Sequence, residues 1–214
     1  MWTIALCACA YGQGTPGKEA PASESKGMAP RVSPSEYQAH GEAGTVTIAA
    51  EFTGHAIGTV QGTLTTEDYV VVETGFFGPA GARTKLAADD FSLRINGKKV
   101  ALPSQPYGVV LPSLKDPEWE PPAETKSKGK TSMGGGGGGG GGKDDPPPTP
   151  PKMPFPERRA MEQRVQKAAL PEGDRALPVA GLIFFQYRGK TKDIRSIELI
   201  YAGPAGKATL KLTP

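Results

Sequence analysis

At 214 residues and a formal net charge of +3, the chain has room for one or two domains, and its charge is too small to argue for a nucleic-acid partner. Lys/Arg and Asp/Glu are interspersed, without a block of five or six like charges. Nine consecutive glycines at 134–142, and thirteen of the 22 prolines between Pro103 and Pro156, exclude a packed core from the middle of the chain. Such a stretch buries little apolar surface against a high ordering entropy, which leaves about 130 residues for one modest core.

The first ten residues, Met1-Trp2-Thr3-Ile4-Ala5-Leu6-Cys7-Ala8-Cys9-Ala10, are apolar and end in small residues. Ala8-Cys9-Ala10 fits the cleavage pattern of a secretory signal, although a basic leading region is missing. Leu6-Cys7-Ala8-Cys9 also loosely matches a lipoprotein box, with Cys9 as the lipidated residue, and the plain alternative is a terminus with no targeting value. Cleavage after Ala10 would leave a mature chain without cysteine. No later apolar run approaches the length of a membrane span. Residues 11–43, rich in Gly, Pro, Ser, Glu, Lys and Ala, read as a disordered tether.

Val46, Ile48, Ala50 and Phe52 alternate with more polar neighbours, the period of a half-buried strand, and Thr53-Gly54-His55 reads as a turn. Residues 56–65 predict one glycine-interrupted strand, at an edge or bulged. Tyr69-Val70-Val71-Val72-Glu73-Thr74-Gly75-Phe76-Phe77 predicts a central strand buried on both faces. Phe91, Leu93 and Ile95 lead to Asn96-Gly97, a type I′ signal. A two-residue hairpin there would set Ile95 against Lys98, Leu93 against Val100 and Phe91 against Leu102.

Residues 115–154 predict a disordered insertion. A helix follows over 157–170, with Met161, Val165 and Ala168 as a narrow apolar stripe and Pro171 and Gly173 as stops. Three strands close the chain, over 179–187, 194–201 and 208–212. Gly78-Pro79-Ala80-Gly81 and Gly203-Pro204-Ala205-Gly206 echo one another, through duplicated hairpins or through shared turn chemistry. These elements predict a mainly β fold: a single antiparallel β-sandwich over 44–214, interrupted by the insertion and carrying one inserted helix.

Motifs for chemistry are sparse. Gly142-Lys143-Asp144 lacks the hydroxyl that a phosphate loop needs, and prolines follow it. His40 falls in the tether and His55 at a turn, without metal-ligand spacing. No nucleophile elbow occurs. Asp89, Asp90, Asp116, Glu118 and Glu120 are loop acids, a hydrolase pair only if two of them converge. Neither a catalytic residue nor a cofactor or metal is expected. The candidate partner-binding residues are Trp119 and Tyr107 beside the insertion, with Phe155 near them, and Arg158 and Arg159 on the helix. Trp119 would either anchor a partner or staple the insertion to a sheet edge. The helix, which also carries Arg164 and Lys167, would either dock by its stripe or meet an anionic surface.

Asp68-Tyr69-Val70-Val71-Val72-Glu73, Asp90-Phe91-Ser92-Leu93-Arg94 ahead of a glycine turn, and Ile197-Glu198-Leu199-Ile200-Tyr201 together resemble secreted bacterial immunoglobulin-like domains of unknown function. The resemblance spans about 130 residues and implies an immunoglobulin-like sandwich. Those domains lack the long Gly/Pro insertion and do not require the helix, and they supply no site residues. The resulting expectation is an exported, periplasmic or extracellular, non-enzymatic binding or structural module whose partner is a protein or an envelope polymer. The alternatives are a membrane-surface lipoprotein using the basic helix, and a hydrolase with loop carboxylates.

Overall fold

The computed structural model describes residues 27–120 and 153–214. The expected signal peptide, the first part of the tether, the glycine run and most of the insertion lie outside the described residues. In chain order the elements are β1 (Ala39–Ala43), β2 (Val46–Gly54), β3 (Ala56–Thr59), β4 (Gly62–Thr66), β5 (Tyr69–Phe77), β6 (Arg83–Leu86), β7 (Phe91–Ile95), β8 (Leu102–Gln105), the short helix α1 (Tyr107–Val110) and β9 (Leu114–Lys115). Beyond the insertion come the helix α2 (Phe155–Ala168), β10 (Gly173–Ala176), β11 (Val179–Gln186), β12 (Ile197–Gly203) and β13 (Gly206–Leu212).

Eight strands form one antiparallel sheet in the order β1-β2-β5-β11-β8-β7-β12-β13. Its outer edges approach each other. Gln38 Nε2 donates to Thr213 O at 2.9 Å, and a Cβ on Gly41 would lie 2.9 Å from Leu210 Cδ2. The sheet is therefore nearly closed. Strand β8 joins its two parts through only two residue pairs on each side, Phe184–Gln105 and Phe185–Ser104 to β11, and Ser92–Pro103 and Leu93–Leu102 to β7. Pro103 offers no N–H, which suits a short strand at such a corner.

Period-two patterning fills the interior. Val46, Ile48, Ala50 and Phe52 of β2 meet Val70, Val72 and Phe76 of β5, with Ile197, Leu199, Tyr201, Leu210 and Leu212 from the last two strands. Phe76, Phe91 and Tyr201 form an aromatic cluster with ring centroids 5.1–5.9 Å apart, mostly edge to face. The runs in β5 and β11 are apolar on both faces for a reason: their outer residues Val71, Leu182 and Phe184 form a second core. Ile57 and Leu64 cover it from the small sheet β3-β4-β9, and Met161, Val165 and Ala168 of α2 complete it. The apolar stripe of the helix is thus its docking face.

Several expectations are corrected. The tether does not extend to residue 43: residues 27–43 belong to the fold, with β1 paired along β2 and Met28 bridging Ala180. Electrostatics explains the first part of that order. Glu51 and Glu73 are cross-strand neighbours on β2 and β5, a like-charge pair that is unfavourable alone. Arg31 answers both, donating from Nε and Nη2 to Glu73 at 3.2 and 3.0 Å and meeting Glu51 at 2.5 Å. Its guanidinium lies 4.4 Å over the Tyr37 ring. The hydrogen bonds to Glu73 lead in raising the Arg31 pKa further above its ordinary value.

Residues 56–65 make a hairpin of β3 and β4, and not one strand, because Gly62 turns the chain at φ 119°. The insertion begins later than residue 115, since Lys115 pairs with Thr65 and residues 116–120 are placed beside it. At Asn96-Gly97 the turn has the expected positive φ at both positions, and Lys98 N donates to Ile95 O. The hairpin register is nevertheless two residues off: Leu93 faces Leu102, and Val100 is 80% exposed. Asn96 is held elsewhere, giving its N–H to Ser196 O and accepting from Arg195 N, so β7 continues along β12 instead. A shift of two preserves facing, and Leu102 still packs on the core. Helix α2 ends at Ala168, before 170, because Leu170 N is taken by Leu182 O and Pro171 disfavours a helical residue ahead of it. The two Gly-Pro-Ala-Gly turns also differ: one closes the hairpin β12–β13, whereas the other leads into β6, which pairs with β10.

Candidate functional site

The edge of β11 changes partner at Ile183. On one side Phe184 and Phe185 pair with β8; on the other, Leu182 forms a parallel bridge with Ala169. Two segments leaving the same edge in different directions open a notch between them. It is a recess of about 270 Å³. Ala169, Leu170 and residues 182–184 supply an apolar floor, while Gln105, Tyr107, Gln166, Glu172 and Arg175 stand around the mouth. An apolar floor with a few convergent polar groups is the usual form of a small-ligand site, here just below the usual size range of about 300–1,000 Å³. Arg175 Nε donates to Glu172 O at 2.9 Å, which fixes one wall.

Of the candidate binding residues, Tyr107 lines this recess, half-buried against the second core. Arg158 and Arg159 do not share it. They are exposed on the first turn of α2, where the Arg158 guanidinium lies 5.8 Å from the centroid of the Phe155 ring, and Phe155 is 64% exposed. Seven residues separate Arg159 from Gln166, about 10 Å of helix rise. Trp119 is half-buried in a turn in which its N–H donates to Asp116 O. That turn is held by Arg164, which reaches Asp116 Oδ2 at 3.1 Å, Thr59 Oγ1 at 3.2 Å and Gln61 O at 3.2 Å. Arg164 therefore joins α2 to the β3–β4 hairpin and to the turn at residues 116–119 that precedes the insertion.

The loop acids Asp89, Asp90, Asp116 and Glu118 fall into two separate groups. Asp116 and Glu118 lie on the second core's cover, beside Arg164 and Gly62. Asp89 and Asp90 precede β7, with Asp90 close to Tyr201 and Gly203 on the first core. Burial is the main cause that raises the Asp90 carboxyl above the ordinary range, and the Asp89 charge adds to it. Burial likewise raises the Tyr201 phenol. His55 is a bridging residue, its Nδ1 2.7 Å from Tyr69 O and its Nε2 2.9 Å from Gly189 O. His40 lies exposed on β1, and not in a tether. Among the described residues no group of three or more His, Cys, Asp or Glu is arranged for a metal, and no helix is long and apolar enough to cross a membrane.

Gln105, Gln166, Glu172 and Arg175 were not singled out by sequence reasoning. Their only common property is the change of partner on β11, and no residue pattern signals that. The chain matches no family model, no curated protein and no solved structure.

Proposed function

We propose that the chain is a non-enzymatic binding module of the cell envelope, and that the recess at the β11 notch is its ligand site. The observation that carries this is the joining of an apolar floor to five polar side chains from three separate stretches of chain, at a place where the sheet leaves its own edge open. The ligand class that fits is a small amphipathic group, such as one apolar side chain with its adjoining amides, since a volume of about 270 Å³ admits little more. The immunoglobulin-like sandwich is part of the same proposal. Its support is the two parts of the sheet, joined at β8 by few pairs and enclosing one core. Export rests on the apolar first ten residues.

The test is NMR shift mapping of the full chain with indole and N-acetyl-leucine amide as probes. Shifts should gather on the recess residues and be lost in Gln166→Trp, which fills the mouth from an exposed position. Shifts scattered over the surface, or unchanged by that substitution, would refute the site. Mass spectrometry of the mature protein tests export separately: a free terminus at Tyr11 would reject the Cys9 lipid anchor. The exposed Phe155 beside Arg158 and Arg159 favours a second reading, contact of the first turn of α2 with a membrane surface.

A further inference from the structure

The end of the sheet opposite β7's start gathers positive charge that the sequence leaves in two distant places. Residues 96–99 form the turn after β7, and residues 187–196 connect β11 to β12. Asn96 binds the two together: its Nδ2 donates to Asp193 O at 3.0 Å, and its Oδ1 accepts from Arg195 N at 2.6 Å and Ser196 N at 3.3 Å. The far side of the longer loop is fixed as well, with Gly189 O against His55 and Thr191 Oγ1 3.2 Å from where a Cβ on Gly54 would lie. A short 3-10 turn over Thr191–Asp193 stiffens the middle. Backbone and side-chain bonds therefore set both loops before any partner arrives.

On these loops Lys98, Lys99, Lys190, Lys192 and Arg195 are exposed, and none of them is in an ion pair among the described residues. Arg188 is a neighbour that is already satisfied, paired with Asp68 at 3.0 Å. The one acid among residues 96–99 and 189–196 is Asp193. The local excess of positive charge is thus larger than the +3 of the whole chain. Such concentration costs self-repulsion in the absence of a counter-charge.

We infer that this end is a docking surface for a linear anionic polymer, with charges spaced along a flexible backbone. The cations run in two adjoining loops across the end of the sheet, a shape that a strand of phosphates or carboxylates can follow. Val100 is the large exposed apolar side chain beside them, and no exposed aromatic ring stands among them to stack a base. Recognition there would rest on charge. The surface is separate from the β11 notch, and either proposal stands without the other.

Long-chain polyphosphate is the probe, titrated into the full chain at several salt concentrations, with neutral dextran as control. Five contacts predict a slope of log K against log salt of about −3 to −4, taking the value for single strands of about 0.7 per cation. The double variant K98E/K99E changes two exposed residues of a loop, and should weaken binding by about tenfold or more on this counterion argument. R158E/R159E, at the first turn of α2, should bind like the parent. Equal binding by the parent and K98E/K99E, with its melting temperature unchanged, would overturn the inference. So would loss of binding in R158E/R159E, a salt-independent affinity, or tighter binding to phosphatidylglycerol vesicles or single-stranded DNA than to polyphosphate.

Discussion

Arg31 joins two carboxylates that would otherwise repel each other. Without it, Glu51 and Glu73 face each other across β2 and β5 with no cation between them. Arg31→Ala should lower unfolding free energy by about 1–2 kcal/mol, a modest value because Arg31 and Glu51 are part exposed. Adding Glu73→Gln to that variant should recover part of the loss in urea titrations, because it removes the repulsion that Arg31 had masked. Thr74 presents the reverse case. It is fully buried, and its Oγ1 has no hydrogen-bond partner among the described residues. Thr74→Val should raise stability by about 1 kcal/mol, read as a higher melting temperature. The raised pKa of Asp90 gives stability a pH dependence. Its folded pKa is raised, so its favourable contribution is complete below the unfolded pKa and disappears as pH rises through the folded one. Asp90→Asn should therefore match the parent at about pH 3 and exceed it in stability at about pH 7. A variant less stable than the parent at the higher pH would show that the carboxylate is favourably placed.

Among the elements, α2 is held by three buried side chains and by Arg164. Met161 is 4% exposed in the second core, and Met161→Ala should cost about 2–4 kcal/mol by lost transfer and cavity formation. Chemical denaturation with a probe on the helix would measure it. The helix and its docking stripe were legible from Met161, Val165 and Ala168, as were the strands β2, β5, β11 and β12 from their alternation or apolar density. The Asn96-Gly97 turn was legible too, but its register was not. Turn chemistry reports only on four residues, while the register depended on Asn96 bonding to Arg195 and Ser196, about a hundred positions away. The end of the tether was missed for a related reason. Residues 27–43 have little apolar surface of their own, and their order comes from Glu51, Glu73 and the edge of β2, partners that composition does not reveal. Tyr107 was the one candidate residue that reached the recess, because a recess made by a change of strand partner has no local sequence signature.

For the whole molecule, the pieces before and after the insertion build both cores together. Strand β11 lies between β5 and β8, and β12 pairs along β7, so the sheet cannot be divided at the insertion without exposing its interior. The recess has the same origin: Gln105 and Tyr107 come from the first piece, and Gln166, Glu172 and Arg175 from the second. Deleting residues 134–142 should accordingly leave the melting transition unchanged, and a large loss of stability would assign that run a structural part. The most direct test of this unity is limited proteolysis within residues 121–152, followed by size-exclusion chromatography and thermal melting of the nicked protein. Both fragments should elute together at the parent position and melt in one transition. Fragments that separate under native conditions, each keeping its own β-sheet signal, would show two independent domains and contradict the account.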